Sequence, residues 1–149
     1  MNLGDLLEKD LILPKLKAGT KQEVLAELVA AAADRLPELE LETTLEILIE
    51  RERLGTTGIG NGIAIPHGKM DHLENIVVVV GRSVQGIEFD ALDQKPCHIF
   101  FLVLAPEQVA GLHLRVLAHI SRLLKEESFR NSFVAAATGD DLWRLLKGA

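Results

Sequence analysis

Ile99-Phe100-Phe101-Leu102-Val103-Leu104 is a run of six consecutive apolar residues, and it decides the fold. A strand wetted on one face alternates polar and apolar residues, whereas a strand that does not alternate is covered on both faces. Ile76 to Val80, five aliphatic residues in a row, has the same character. Two such strands call for a sheet held between two layers. Between them, Ser83 to Phe89 reads as an edge strand kinked at Gly86, and Asp90 to Gln94 as a turn or short helix.

The flanking sequence supplies the covering helices. Thr20-Lys21-Gln22-Glu23 is a capping box, and the helix behind it carries Val24, Leu25, Leu28, Val29 and Ala32 on one face, ending before Pro37. A second helix starts near Leu41 or Glu42, turns Leu45, Leu48 and Ile49 inward, and stops at Gly55, with Glu50, Arg51, Glu52 and Arg53 in its last turn. Beyond Ala105-Pro106 a helix runs from about Val109 to Lys125 on a stripe of Val116, Leu117, Ile120, Leu123 and Leu124. Short helices at Glu127 to Ala135 and Asp140 to Leu146 close the chain. At the other end, Asn2 or Asp5 caps a short opening helix, and Leu11 to Leu13 form a brief strand. With no repeat or linker, the expected architecture is α/β: residues 1–149 as a single three-layer α-β-α domain around a small, mixed, mostly parallel sheet.

At 149 residues and 48% hydrophobic composition, one domain can bury most of its unfolded surface. No apolar run reaches the ~20 residues that span a bilayer, and no leader pattern opens the chain. Cys97 is the only cysteine, which excludes internal disulfides and points to a cytoplasmic protein. A net charge of −6 argues against nucleic acid and fits better with a basic protein partner or none.

Gly55 to Lys69, GTTGIGNGIAIPHGK, looks least like ordinary packing. Its glycines suggest a backbone device rather than a helix or strand. Ile63-Ala64-Ile65 then makes a short strand stopped by Pro66, leaving His67 at the strand end on a defined backbone. The run is not a P-loop, because Gly62 to Gly68 has one residue too many and Met70 stands where a hydroxyl is needed. Nor is it a dinucleotide fingerprint, being too short and following a helix. Successive amides could still form an anion-binding nest. Metal-binding spacings and a nucleophile elbow are absent from the sequence, so no metal or cofactor is expected.

His67 is the leading candidate for chemistry, since a lone histidine among glycines behind a proline is poorly explained by packing. His113 is the second. It sits in the first turn of its helix on the inward face, where the helix dipole favours a neutral imidazole and attracts anions; a core histidine bonded to a carbonyl is the competing reading. Arg51 is the third, a guanidinium leading into the glycine run, although pattern alone does not separate it from Arg53. His72, His98 and His119 read as structural or surface residues.

The segment from Arg51 to Lys69, RERLGTTGIGNGIAIPHGK, closely resembles the type-2 EIIA domains of the bacterial phosphoenolpyruvate:sugar phosphotransferase system. Phe89-Asp90-Ala91-Leu92-Asp93 with Lys95-Pro96, Phe101 to Glu107 as FLVLAPE, and His113-Leu114 with Leu117-Ala118 extend the likeness over most of the chain. The resemblance implies that His67 takes a phosphoryl group from an HPr-type carrier on Nε2, that His113 hydrogen-bonds it, and that Arg51 stabilises the phosphate. The carrier would dock on an apolar ring around His67. The partners implied are that carrier and an EIIB domain or regulatory target proteins, with no nucleic acid and no membrane insertion. Gly68-Lys69 after the histidine looks more like the nitrogen-regulatory branch than the fructose branch, and a sugar-specific EIIA is the alternative.

Overall fold

The strand Cys97–Pro106 (β6) is the axis of the molecule, and its residues alternate between two separate apolar clusters. Phe100, Leu102 and Leu104 enter one cluster; Ile99, Phe101 and Val103 enter the other. Every residue from Ile99 to Ala105 is buried. Each large apolar side chain so covered contributes about 1.5–3 kcal/mol of transfer free energy, which is why the run cannot alternate. The computed structural model describes residues 2–149, so Met1 of the expected 1–149 unit lies outside it.

In chain order the remaining elements are β1 (Ile12–Leu13), α1 (Lys21–Arg35), α2 (Leu41–Leu54), β2 (Gly58–Gly60), β3 (Ile63–Ala64), β4 (His67–Met70) and β5 (Val77–Ile87) before β6, then α3 (Ala110–Leu124), α4 (Glu127–Ala135) and α5 (Gly139–Lys147). The sheet order is β1-β5-β6-β3-β2, with β4 also paired to β6. Helices α1 and α2 contribute to the cluster on one face, and α3, α4 and α5 to the cluster on the other. The sheet is therefore mixed and lies between helical layers, as expected. Parallel pairing joins β1 to β5, β3 to β6 and β4 to β6, while the longest pairing, β5 with β6, is antiparallel. Among the described residues no helix is long and apolar enough to cross a membrane.

The expected capping box at the start of α1 forms in a shifted version, its carboxylate taking the N–H of the residue before the N-cap Thr20. The Thr20 hydroxyl accepts from the Glu23 N–H at 3.2 Å, and the Glu23 carboxylate accepts from the Gly19 N–H at 3.1 Å. All five residues expected on the inner face of α1 are buried. On α2, Leu48 and Thr44 are buried while Leu45 and Ile49 are half-buried. On α3, Leu117 and Leu123 are likewise half-buried.

Three expectations need correction. Ser83 to Phe89 is not a separate edge strand: β5 runs unbroken from Val77 to Ile87, with its register shifting between Arg82 and Ile87. Gly81 carries the ladder onward opposite Phe100, and a Cβ there would come within 3.0 Å of Leu16 and Leu28, so this glycine serves close packing rather than a break. The glycine run does contain strand, because Gly58–Gly60 pairs with Ile63–Ala64 as an antiparallel hairpin. Asn61 and Gly62 at its tip have φ of 58° and 77°, the left-handed pair that such a two-residue turn requires.

The third correction concerns His67, which does not end a strand but begins β4. Strands β3 and β4 lie along the same side of β6, pairing Ile63 with Ile99 and then His67 with Val103. Pro66 lacks an N–H, yet its carbonyl accepts from the Val103 N–H at 2.9 Å, so the ladder continues across it.

Candidate functional site

Two-residue periodicity places His67 on the same face as Ile63 and Ile65, the face covered by α3. Gly68 consequently faces α2, where a Cβ would stand 3.2 Å from Ile47 and 3.5 Å from Leu48. Along this edge of the sheet α2 and α3 leave a cavity of 570 Å³. Arg51 and Leu54 line it from α2, His67 and Lys69 from β4, and His113 and Leu114 from α3.

His67, His113 and Arg51 thus meet at one cavity. The two rings are 5.8 Å apart between centres and inclined at 75°. Arg51 donates from Nη1 to the Gly55 carbonyl at 2.8 Å, which holds the guanidinium at the head of the glycine run. Arg53 pairs with Glu50 on the surface and belongs to a different cleft beside Lys21, so position separates the two arginines where pattern could not.

Half-buried His67 has one ring nitrogen committed. Its Nδ1 lies 2.7 Å from the Ile65 carbonyl oxygen. A carbonyl only accepts, so the neutral ring carries its proton on Nδ1 and keeps the lone pair on Nε2. Burial is the main influence holding the His67 pKa below its usual value, opposed by the Ile65 hydrogen bond; the Arg51 charge also lowers it and Glu52 raises it. His113 is 5% exposed, and its Nε2 is buried without a hydrogen-bond partner. Burial again depresses its pKa most, with His67 and Lys69 adding to the effect. Both rings are therefore neutral near pH 7: one offers a lone pair, and the other has an unsatisfied nitrogen close by.

The expected nest of glycine amides does not face His67. Asn61 donates its N–H to Asp93 at 3.1 Å, and Gly58 donates to the Thr56 hydroxyl at 3.0 Å. Gly60 looks toward Asp93, and Gly62 toward His98 and Pro96. Thr56, Thr57 and Ile59 line the smaller recess beside the imidazole instead. His98 donates from Nδ1 to the Ser83 carbonyl at 2.8 Å, and His72 and His119 do not line the cavity. Among the described residues no group of three or more His, Cys, Asp or Glu side chains stands together as a metal site.

Two residues near the site were passed over in the sequence. Lys69, next but one to His67, brings a second cation to the cavity; its place was legible from the parity that puts it on the same face as His67. Glu52 joins Lys21 at 2.9 Å and the Thr57 N–H at 3.1 Å. Nothing local in the sequence announces that contact.

The model of the phosphoenolpyruvate-dependent sugar phosphotransferase system EIIA 2 family matches residues 5–149. The chain belongs to that family. It is a phosphoryl-transfer component of the system. A nitrogen regulatory protein of Bradyrhizobium diazoefficiens is 38% identical over 146 residues, covering 98% of this chain and 95% of the relative. A fructose-specific EIIA component of Haloferax volcanii is 38% identical over 117 residues, covering 78% of this chain and 76% of the relative. Among solved structures, the nitrogen regulatory protein IIA-Ntr of Neisseria meningitidis superposes on this EIIA domain with a TM-score of 0.89 at 30% identity, covering 96% of this chain and 97% of that one.

Proposed function

We propose that His67 accepts a phosphoryl group on Nε2 from an HPr-type phosphohistidine carrier, and that its phosphorylation state controls partner proteins as in a nitrogen-regulatory EIIA. The observation that carries this reading is the 2.7 Å bond from Nδ1 to the Ile65 carbonyl, which leaves Nε2 as the nucleophile. In the transfer the Nε2 lone pair forms a new N–P bond while the donor's N–P bond breaks and its electron pair returns to the donor imidazole. His67 keeps its Nδ1 proton throughout. Catalysis of this kind is positioning and charge stabilisation, with little covalent work for the protein.

Each cavity residue then has a role. Arg51 and Lys69 offset the charge of the phosphoryl oxygens, Arg51 with a fork suited to two of them. The unpartnered nitrogen of His113 donates to a third. Leu54 and Leu114, 86% and 67% exposed at the cavity rim, provide the apolar ring on which a carrier docks. Residues 1–149 act as one unit, supported by two core clusters on opposite faces of one sheet. Buried, unpaired Cys97 supports a cytoplasmic setting.

The nitrogen-regulatory relative, which is covered almost end to end, supports the regulatory branch. A sugar-specific role, with His67 passing the group to an EIIB cysteine, is the second reading, supported by the fructose-specific relative at the same identity. Incubation with phosphoenolpyruvate, the first enzyme of the system and the carrier should yield an acid-labile, base-stable phosphate that disappears in His67→Ala. Label retained by that variant would defeat the assignment. Presenting the phosphorylated protein to EIIB domains separates the branches, because rapid loss of label to a fructose or mannitol EIIB would favour sugar transport.

A further inference from the structure

We propose that Glu52 is a positioning residue of this site, fixing the Nδ1 side of His67 through Thr57 and Ile65. Its side chain, in the last turn of α2, is 6% exposed. A carboxylate that deep is costly unless its oxygens are filled. Lys21 Nζ fills one at 2.9 Å, the Thr57 N–H spans both at 3.1 and 3.2 Å, and the Thr57 hydroxyl donates to Oε2. Thr57 in turn accepts the Ile65 N–H on its carbonyl at 3.0 Å, and the Ile65 carbonyl accepts the His67 Nδ1–H. A continuous line of polar contacts therefore runs from the first turn of α1 to the reacting ring.

A purely structural ion pair would tie α1 to α2 and end there. Here the line ends on the ring nitrogen whose proton determines where the lone pair lies. The charge matters too. A ring phosphorylated on Nε2 that keeps its Nδ1 proton is cationic, and a nearby carboxylate stabilises it. The charged groups acting on His67 are Arg51 and Glu52 from α2; the ring of His113 from α3 stands edge to face with it, and Lys69 on the same strand lines the same cavity. Glu52 is the only carboxylate among those that shift its pKa, and it counters Arg51.

This inference rests on the proposed role of His67, so its test includes a measurement that needs no phosphoryl transfer. NMR titration of the His67 ring in Glu52→Gln should show a lower midpoint than in the native protein. Single-turnover transfer from the phosphorylated carrier should slow roughly tenfold to a hundredfold, with the carrier's KM unchanged. Glu52→Asp, which keeps the charge, should recover most of the midpoint. Thr57→Val removes only the hydroxyl and tests the same line if Glu52→Gln does not fold; its rate should fall at constant KM. An unmoved midpoint with a native rate in folded Glu52→Gln, or a native rate in Thr57→Val should the first variant not fold, would overturn the proposal. Failure of the native protein to accept phosphate would instead defeat the function proposed for His67, and the titration would still decide the role of Glu52.

Discussion

The imidazoles of His67 and His113 stand edge to face, with ring centres 5.8 Å apart and planes at 75°. One comes from a strand beginning directly after a proline and the other from the first turns of α3. Their separation leaves room for a group bonded to one ring and hydrogen-bonded to the other. The Nε2 of His113 is buried without a hydrogen-bond partner, and the role proposed for it is to donate to that group.

Replacing His113 by Ala should therefore impair chemistry more than folding. Loss of one preorganised donor to a transferring anion costs roughly 10²–10³ in rate. Rapid-quench measurement of transfer from the phosphorylated carrier should show that loss, while the thermal midpoint moves little. Native rates in His113→Ala would return this histidine to a packing role.

Arg51 and Arg53 make a paired test. Arg51→Ala should slow phosphoryl acceptance roughly tenfold or more, the equivalent of a charged hydrogen bond worth about 1.5–3 kcal/mol. Arg51→Lys should recover only part of that, because an ammonium lacks the two-pronged geometry. Arg53→Ala, which breaks only a surface pair with Glu50, should leave the rate unchanged. Equal losses at both positions would show that general positive charge, rather than the cavity position of Arg51, is what matters.

Both histidines titrate below the ordinary 6.5, chiefly because burial disfavours the charged ring. Two consequences follow for pH. Phosphate acceptance should hold as pH falls through 6.5 and decline only at lower values, when Nε2 of His67 becomes protonated. For stability the unfolded chain binds the protons first, so the contribution of the two neutral rings is complete above pH 6.5 and is lost as pH falls through the folded pKa values. Denaturant melts between pH 7.5 and 5 should show this decline, and it should be smaller in a His67→Gln, His113→Gln double variant. A pH-independent difference between the two proteins would contradict the direction of the shifts.

Cys97 provides a control for the core. Burial pushes its thiol up to about 12, and the side chain has no exposed surface. A thiol reagent such as Ellman's should leave the native protein unlabelled at pH 8 and label it fully in denaturant. Rapid native labelling would show that the start of β6 opens in solution.

The central strands and the helical stripes were legible because burial on both faces, or on one helical face, leaves a one-dimensional pattern in the residues. The run from Ile99 to Leu104 and the five inner residues of α1 behave as that pattern requires. The bounds Glu127–Ala135 of α4 were legible too. The hairpin at Asn61-Gly62 was missed although that dipeptide is a strong turn signal, because the surrounding glycines masked the short strands it joins. Continuation of the sheet through Pro66 was not legible, since it depends on a carbonyl reaching Val103 on a distant strand. That His67 and His113 are histidines of special setting was legible locally, and both line the cavity. Choosing Arg51 over Arg53 could not be done that way: the two share a helical turn, and only the tertiary arrangement of α2 against β4 decides which faces the cavity. The contact between Glu52 and Thr57 also depends on how the chain folds back after Gly55.

NMR of the phosphorylated protein, with ¹⁵N in the histidine rings and ³¹P on the transferred group, tests the central assignment most directly. The expected result is one phosphohistidine, at His67, with phosphorus coupled to Nε2 and a proton retained on Nδ1. Phosphorus on Nδ1 of His67, or on any other residue, would contradict it.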